Sequence, residues 1–134
     1  MRKSWDVTID IARPPDAVWE VVGDPYGVPK WYPTYLSTTV EDGVRTLERA
    51  DGITIREKLG ERDDKRRFYS YGVVSGLPLV HHLASFEVRE GPTGSTVVWH
   101  TEAQHEDPEI DMEARLADRQ AEALIGLKEL LEQS

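Results

Sequence analysis

Cysteine is absent from the 134-residue chain, which excludes disulfides, thiolate metal sites and a cysteine nucleophile. Long apolar runs are lacking as well, and none approaches the ~20 residues a membrane-spanning helix needs. The opening MRKSWDVTID leads straight into a strand pattern, unlike a secretory signal. A cytoplasmic location without membrane insertion is therefore expected. Basic charge is in deficit: 16 Lys and Arg stand against 25 Asp and Glu, for a net charge of −9. Nucleic-acid binding ordinarily draws on a basic face. The one cationic cluster, Lys65-Arg66-Arg67 followed by Phe68-Tyr69, is offset by Glu61, Asp63 and Asp64, so no nucleic-acid partner is expected. There is no G-x-S-x-G elbow of a serine hydrolase and no glycine-rich phosphate loop after a strand. His81, His82, His100 and His105 with Glu102 lack the spacing of a metal signature. Neither a metal nor an organic cofactor is expected.

What is present is patterning. The length fits one domain over residues 1–134 with one core. Residues 4–11 alternate, with Trp5, Val7, Ile9 and Ile11 on one face, as in a half-buried strand. After Arg13-Pro14-Pro15-Asp16, residues 17–22 form a short helix that Gly23-Asp24-Pro25 ends. Residues 26–34 read as a second helical turn plus loop. Strands are expected at 35–41, 44–49, 53–60, 66–74, 81–89 and 95–105, separated by Asp-Gly and Pro-x-Gly turns that favour antiparallel hairpins. Residues 108–133 read as one long helix, with Asp107 as N-cap and Pro108 at its first position. Leu116, Ala117, Gln120, Ala123, Leu124, Leu127 and Leu131 form its sheet-facing stripe. Gly126 lies inside this helix, where it either permits close backbone packing or simply costs helix stability. The order predicts an α+β fold: an antiparallel sheet of six to seven strands, two short helices after the first strand, and a long C-terminal helix. One helix cannot cover so wide a flat sheet, so the sheet must curl around it and leave an internal gap. Polar and large aromatic residues together on the inward faces fit a cavity better than a dry core.

Strand parity selects the candidate site. Glu57 shares a face with Ile53, Ile55 and Leu59 and points inward, where a carboxylate is costly unless paired. Arg45 on the neighbouring strand can reach it across the hairpin. Two readings stand: Glu57 as general base or ligand anchor with Arg45 on a ligand oxyanion, or a salt bridge bracing the sheet. Tyr69 and Tyr71 share a face with Arg67 and Val73, and can present phenols to ligand carbonyls. Trp31 and Tyr35 near the entrance, with Trp99, complete an aromatic wall or, on the other reading, an ordinary core. His82, on the face of Ala84, Phe86 and Val88, is either an acid–base group or an exposed strand-end histidine. His105 is placed at the rim, and His100 and Glu102 face solvent. Ile55, Phe86, Leu116 and Gln120 complete the expected ligand contacts. A one-residue slip in strands 35–41 or 81–89 would turn Tyr35 or His82 outward.

A family resemblance joins these pieces. Ile9-Asp10-Ile11-Ala12-Arg13-Pro14-Pro15 leads to Val18-Trp19, Asp24-Pro25 and Trp31. Gly43-Val44-Arg45, Ile55-Arg56-Glu57, Tyr69-Ser70-Tyr71, Gly76-Leu77-Pro78 and Ser95-Thr96-Val97-Val98-Trp99 follow in order. Together they resemble the SRPBCC (START-like, helix-grip) superfamily, in its branch of small bacterial polyketide cyclase/dehydrase-type proteins. The resemblance implies a hydrophobic cavity for lipids, polyketides, aromatics or hormones, in a family of both enzymes and carriers. The catalytic reading is a cofactor-free cyclase, aromatase or dehydratase. In it Glu57 or His82 moves protons and Arg45, Tyr69 and Tyr71 stabilise enolate charge. The alternative is a non-catalytic carrier of a hydrophobic small molecule or lipid. A client-binding adaptor does not suit so charged a chain. Monomer and homodimer both remain open.

Overall fold

A computed structural model describes residues 1–133, so the last residue of the domain expected over 1–134 lies outside the described residues. The chain runs β1 (Lys3–Ile11), α1 (Pro15–Val22), α2 (Val28–Trp31), β2 (Tyr35–Glu41), β3 (Val44–Arg49), β4 (Thr54–Asp63), β5 (Phe68–Ser75), β6 (Leu79–Gly91), β7 (Gly94–His105) and α3 (Met112–Glu132). The strands form a seven-stranded antiparallel sheet in the order β1-β7-β6-β5-β4-β3-β2. Short hairpins place β2 to β7 side by side, and β1 returns to pair with β7 along its whole length. The long helix α3 packs mainly on β1, with smaller contacts to α2 and β7. It therefore stands off the middle of the sheet, and the space beneath it becomes the cavity. No described helix is long and apolar enough to cross a membrane.

Alternation in β1 and β7 does what period-2 patterning dictates. Trp5 and Ile11 are buried from β1, and Val97, Trp99, Thr101 and Ala103 from β7. Ile11, Val97 and Trp99 pack with Val18 and Val22 of α1 and Leu124, Leu127 and Leu131 of α3, while Trp5 and Ala103 form a second cluster with Met112. A buried polar link crosses this core: Trp5 Nε1 donates to Gln120 Oε1 at 2.8 Å, and Gln120 Nε2 donates to Thr101 Oγ1 at 2.9 Å. This chain of bonds holds β1, α3 and β7 in one register while satisfying each buried group.

Three local expectations are corrected. The long helix begins at Met112, not at 108, because Asp111 is its cap: its carboxylate accepts from the N–H groups of Glu113 and Ala114. Asp107 instead closes a preceding turn, accepting from Glu109 N through its side chain and from Ile110 N through its carbonyl. The first helix starts at Pro15 rather than 17, with proline in its first turn. The strand expected at 66–74 begins at Phe68, because Arg67 adopts a left-handed φ of 53° and belongs to the turn.

Parity in β2 depends on a bulge. The register shifts between Tyr35 and Ser37, which lets Tyr35 share the inner side with Thr38 and Val40 while Leu36 points to solvent. A bulge inserts a residue and changes which side chains face in. Strand β6 shifts between Leu79 and His81, after which His82, Ala84, Phe86 and Val88 face the interior.

Gly126 is a packing device. A Cβ at this position would sit 2.9 Å from the Trp31 carbonyl oxygen, so α3 and the end of α2 meet backbone to backbone. Gly126→Ala gains about 1 kcal/mol of helix propensity yet meets a rigid carbonyl. The expected outcome is a lower Tm than the wild type with a shifted Trp31 emission. A higher Tm would show that α2 gives way freely.

Candidate ligand cavity

Between α3, the α2–β2 segment and strands β3 to β7 lies a cavity of about 940 Å³. At its inner end is a recess of about 30 Å³, the size that holds one water molecule. The recess and the cavity share Tyr32, Tyr35, Glu57, Tyr71 and Trp99. Arg45 lies in the recess wall. The opening is edged by Arg49 and Asp51 from the β3–β4 turn, Leu77 and Pro78 from the β5–β6 turn, and Arg115, Arg119 and Glu122 from α3. Gly76 shapes this edge. It holds a φ of 101°, and a Cβ there would lie 2.1 Å from the Thr54 carbonyl, so only glycine lets the Leu77-Pro78 turn lean over the start of β4.

Arg45 and Glu57 stand directly opposite in the β3–β4 ladder and are 1% and 6% exposed. Arg45 Nε donates to Glu57 Oε1 at 2.9 Å, and Nη2 approaches the same oxygen at 2.7 Å. Arg45 Nη1 donates to the Tyr69 hydroxyl at 3.3 Å and to the Pro25 carbonyl at 3.5 Å. Its guanidinium also lies over the Tyr71 ring, 5.0 Å from the centroid. Arg45 thus directs most of its donors to protein partners, as in the salt-bridge reading, while its side chain still borders the recess. Burial works against its charge, but Tyr69 and Glu57 outweigh burial and keep its pKa above the ordinary arginine value.

Glu57 is different. Among the described residues its contacts fall on Oε1, which leaves Oε2 for the cavity that Glu57 lines. Burial pushes its pKa above the ordinary carboxylate value while Arg45 pulls the other way, and the net direction is upward. Desolvation at nearly complete burial exceeds what one cation touching one oxygen returns.

The expected aromatic wall assembles with one exception. Trp31 meets Phe86 and Trp99 edge-on at 5.7 and 6.1 Å, and Phe86 packs on Trp99 at 4.6 Å. Trp31 and Phe86 line the recess, and Ile55, Leu116 and Gln120 line the wider cavity. Tyr69 does not line either space. It is packed behind Arg45, against Trp19, Tyr71 and Phe86, so its expected role toward ligand is corrected to holding Arg45. Tyr71 remains in the wall, with its oxygen accepting from Trp99 Nε1 at 2.9 Å. Burial raises the pKa of Tyr35, Tyr71 and Tyr32, so all three present O–H donors at neutral pH.

His82 lines the cavity, but its chemistry is narrower than expected. The β5–β6 ladder stops at the Tyr71–Ala84 pair, and the next free donor, Val73 N–H, is taken by His82 Nδ1 at 3.1 Å. Desolvation, aided by His81, lowers its pKa to about 4. At neutral pH the ring is therefore uncharged, with its proton on Nε2, where it can serve as a donor. Its folded pKa lies below the reference value of 6.5, so the unfolded chain binds a proton between those values and the folded chain does not. Stability from this residue is complete above pH 6.5 and falls as pH drops toward 4, by about 3 kcal/mol in total. His82→Asn keeps an acceptor for Val73 and should flatten the fall in Tm between pH 7 and pH 4.5. An unchanged fall would assign the acid sensitivity elsewhere.

Sequence reasoning missed several lining residues. Tyr32 lay in the stretch 26–34 that carried no strand or long-helix pattern. His105, expected at the rim, lines the cavity and accepts from Asp107 N through Nδ1. Arg115 and Arg119 also line it; they immediately precede Leu116 and Gln120 of the helix stripe, a spacing that was given no reading from sequence. His100 faces outward as expected and pairs with Asp6 at 2.6 Å; His81 pairs with Glu102 at 2.6 Å.

A curved sheet closed over a long helix, with an aromatic cavity between them, defines the helix-grip class of proteins. The polyketide cyclase / dehydrase and lipid transport family matches residues 2–132, and the chain belongs to it. Solved structures of the same shape include the aromatase/cyclase ZhuI from a Streptomyces species, with a TM-score of 0.84 at 16% identity over 99% of this chain and 95% of that one. The protein XoxI from Bacillus cereus superposes with a TM-score of 0.79 at 24% identity, covering 97% and 94% of the two chains. The major latex-like protein 151 of Panax ginseng gives 0.83 at 14% identity, covering 97% of each. At these identities the likeness establishes the fold. No curated protein sequence matches the chain.

Proposed function

We propose that the cavity binds a polyketide-like or aromatic carbonyl compound and promotes its cyclisation and dehydration by acid–base catalysis, with Glu57 as the proton carrier. The observation that carries this reading is the division of labour on one carboxylate: Oε1 is tied to Arg45 and Oε2 is left to the cavity, at a raised pKa. A carboxylate whose pKa is raised takes up and holds a proton more readily than an ordinary one, as a proton carrier must.

In the reaction, Glu57 Oε2 takes a proton from a carbon between two carbonyls, and the C–H electron pair moves into an enolate. The O–H groups of Tyr35 and Tyr71 and the Nε2–H of His82 are the donors available to its oxygen. The enolate carbon bonds to a second carbonyl carbon of the same chain, and the resulting alkoxide takes the proton back from Glu57. Dehydration repeats the cycle: Glu57 removes a C–H proton, then returns it to the departing hydroxyl, which leaves as water. Holding the chain folded between Trp31, Phe86 and Trp99 supplies the orientation that such a closure needs.

The carrier reading draws on the commitment of Arg45 and of the His82 Nδ1 lone pair to protein partners. Purified protein incubated with a short poly-β-ketone thioester separates the two. Faster appearance of the aromatic product than in buffer supports the enzyme. Saturable quenching of tryptophan fluorescence with no change in product formation supports the carrier and sinks the enzyme.

A further inference from the structure

Resting on the reading of this cavity as the ligand site, we propose that its mouth holds a carboxylate and that the ligand is an amphiphilic acid, bound with its anionic end outward. The chain as a whole carries a charge of −9, yet three arginines, Arg49, Arg115 and Arg119, edge one opening. Arg115 and Arg119 are exposed, lie one helical turn apart on α3 and so project on the same side. Neither makes an ion pair among the described residues, whereas Arg49 is held by Asp51. The acids facing the same space are Asp51 and Glu122 at the rim and Glu57 within.

Two of the rim arginines, Arg119 and Arg49, act on a common point. Burial raises the pKa of the Tyr32 phenol, and Arg119 and Arg49 both act to lower it against a smaller opposing effect of Glu122. An anion beside the Tyr32 hydroxyl therefore meets positive potential from both sides of the mouth and a phenolic donor. The inner end offers the opposite chemistry. Arg45 is consumed by Glu57, Tyr69 and Pro25, and the group left to the cavity is the acceptor Glu57 Oε2. A carboxylate entering first would face a carboxylate, while a hydroxyl or phenol entering first would donate to it. The polarity of the cavity thus fixes the ligand's direction: donor end inward, acid end at Arg115 and Arg119.

A matched pair of probes tests this: 6-hydroxy-2-naphthoic acid and its methyl ester, which differ only in the charge at one end. Titration of the wild type followed by tryptophan fluorescence should give at least about tenfold tighter binding of the acid, equivalent to about 1.4 kcal/mol. Added salt should weaken the acid alone. Arg115→Gln/Arg119→Gln, which alters exposed positions only, should bring acid and ester within about threefold, chiefly by weakening the acid. Equal binding of the two probes by the wild type, or a preference that survives the double variant, overturns the anionic mouth and leaves the cavity reading standing. Failure of both probes to bind the wild type overturns the cavity reading together with this inference.

Discussion

Arg45→Met should lower the folding stability by about 3–5 kcal/mol, because it strands Glu57 as an unpaired carboxylate in a buried site. Tyr69 and the Pro25 carbonyl lose a donor in the same step. The loss depends on pH. Without its cation, Glu57 keeps a folded pKa above its unfolded one, so the folded chain binds the extra proton at mildly acidic pH. Stability of the variant is therefore greatest below the unfolded carboxylate pKa and declines as pH rises through the folded one. Removing both charges tells the pair from its surroundings. Arg45→Met/Glu57→Leu should recover more than half of the loss, as replacement of buried ion pairs by apolar groups commonly does. Urea unfolding of the two variants at pH 5 and pH 8 measures both effects. If the double variant were as unstable as the single one, the cost would belong to lost packing around the guanidinium and not to the stranded charge.

Glu57→Gln separates chemistry from architecture at the same site. The amide oxygen of glutamine still accepts from Arg45, so the pair keeps its geometry while the cavity loses its base. Turnover of a poly-β-ketone substrate should fall about 100- to 10,000-fold with ligand affinity within about threefold, since the aromatic wall is untouched and a factor of three is less than 1 kcal/mol. In the wild type, activity should rise with pH through the elevated pKa of Glu57, because the base works only when deprotonated. That limb should vanish in the variant. A variant that keeps its rate would remove Glu57 from catalysis, and one that loses rate and affinity equally would make it a ligand anchor.

The two variants explore one fact about this fold. A carboxylate on the inner side of a β-strand is legible wherever alternation is clean, and β3 and β4 are clean: Arg45, Leu47, Ile55 and Glu57 all lie where period 2 puts them. Alternation failed for Tyr69 in a different way. The residue does face inward, but inward at that position means behind the Arg45 guanidinium, and sidedness carries no information about depth. For His82 the face was again correct, yet its role turned on a ladder ending one pair early and freeing the Val73 N–H, which no local pattern announces.

The sequence by itself determined the element order, the antiparallel hairpins, the long closing helix and the inward set of β1, β3, β4 and β7. Each follows from side-chain periodicity and turn chemistry, which act over a few residues. Membership of a cavity-forming family was legible in the order of short motifs along nearly the whole chain. Only the tertiary structure decided which oxygen of Glu57 is bonded to Arg45, that Arg45 also bonds Tyr69 and Pro25, that Gly126 is a backbone contact, and that Arg49 meets Arg115 and Arg119 around one opening. Those outcomes depend on where residues far apart in the chain come to rest in space. Curvature of the sheet and the stand-off of α3 fix that, and neither is written in any local stretch of residues.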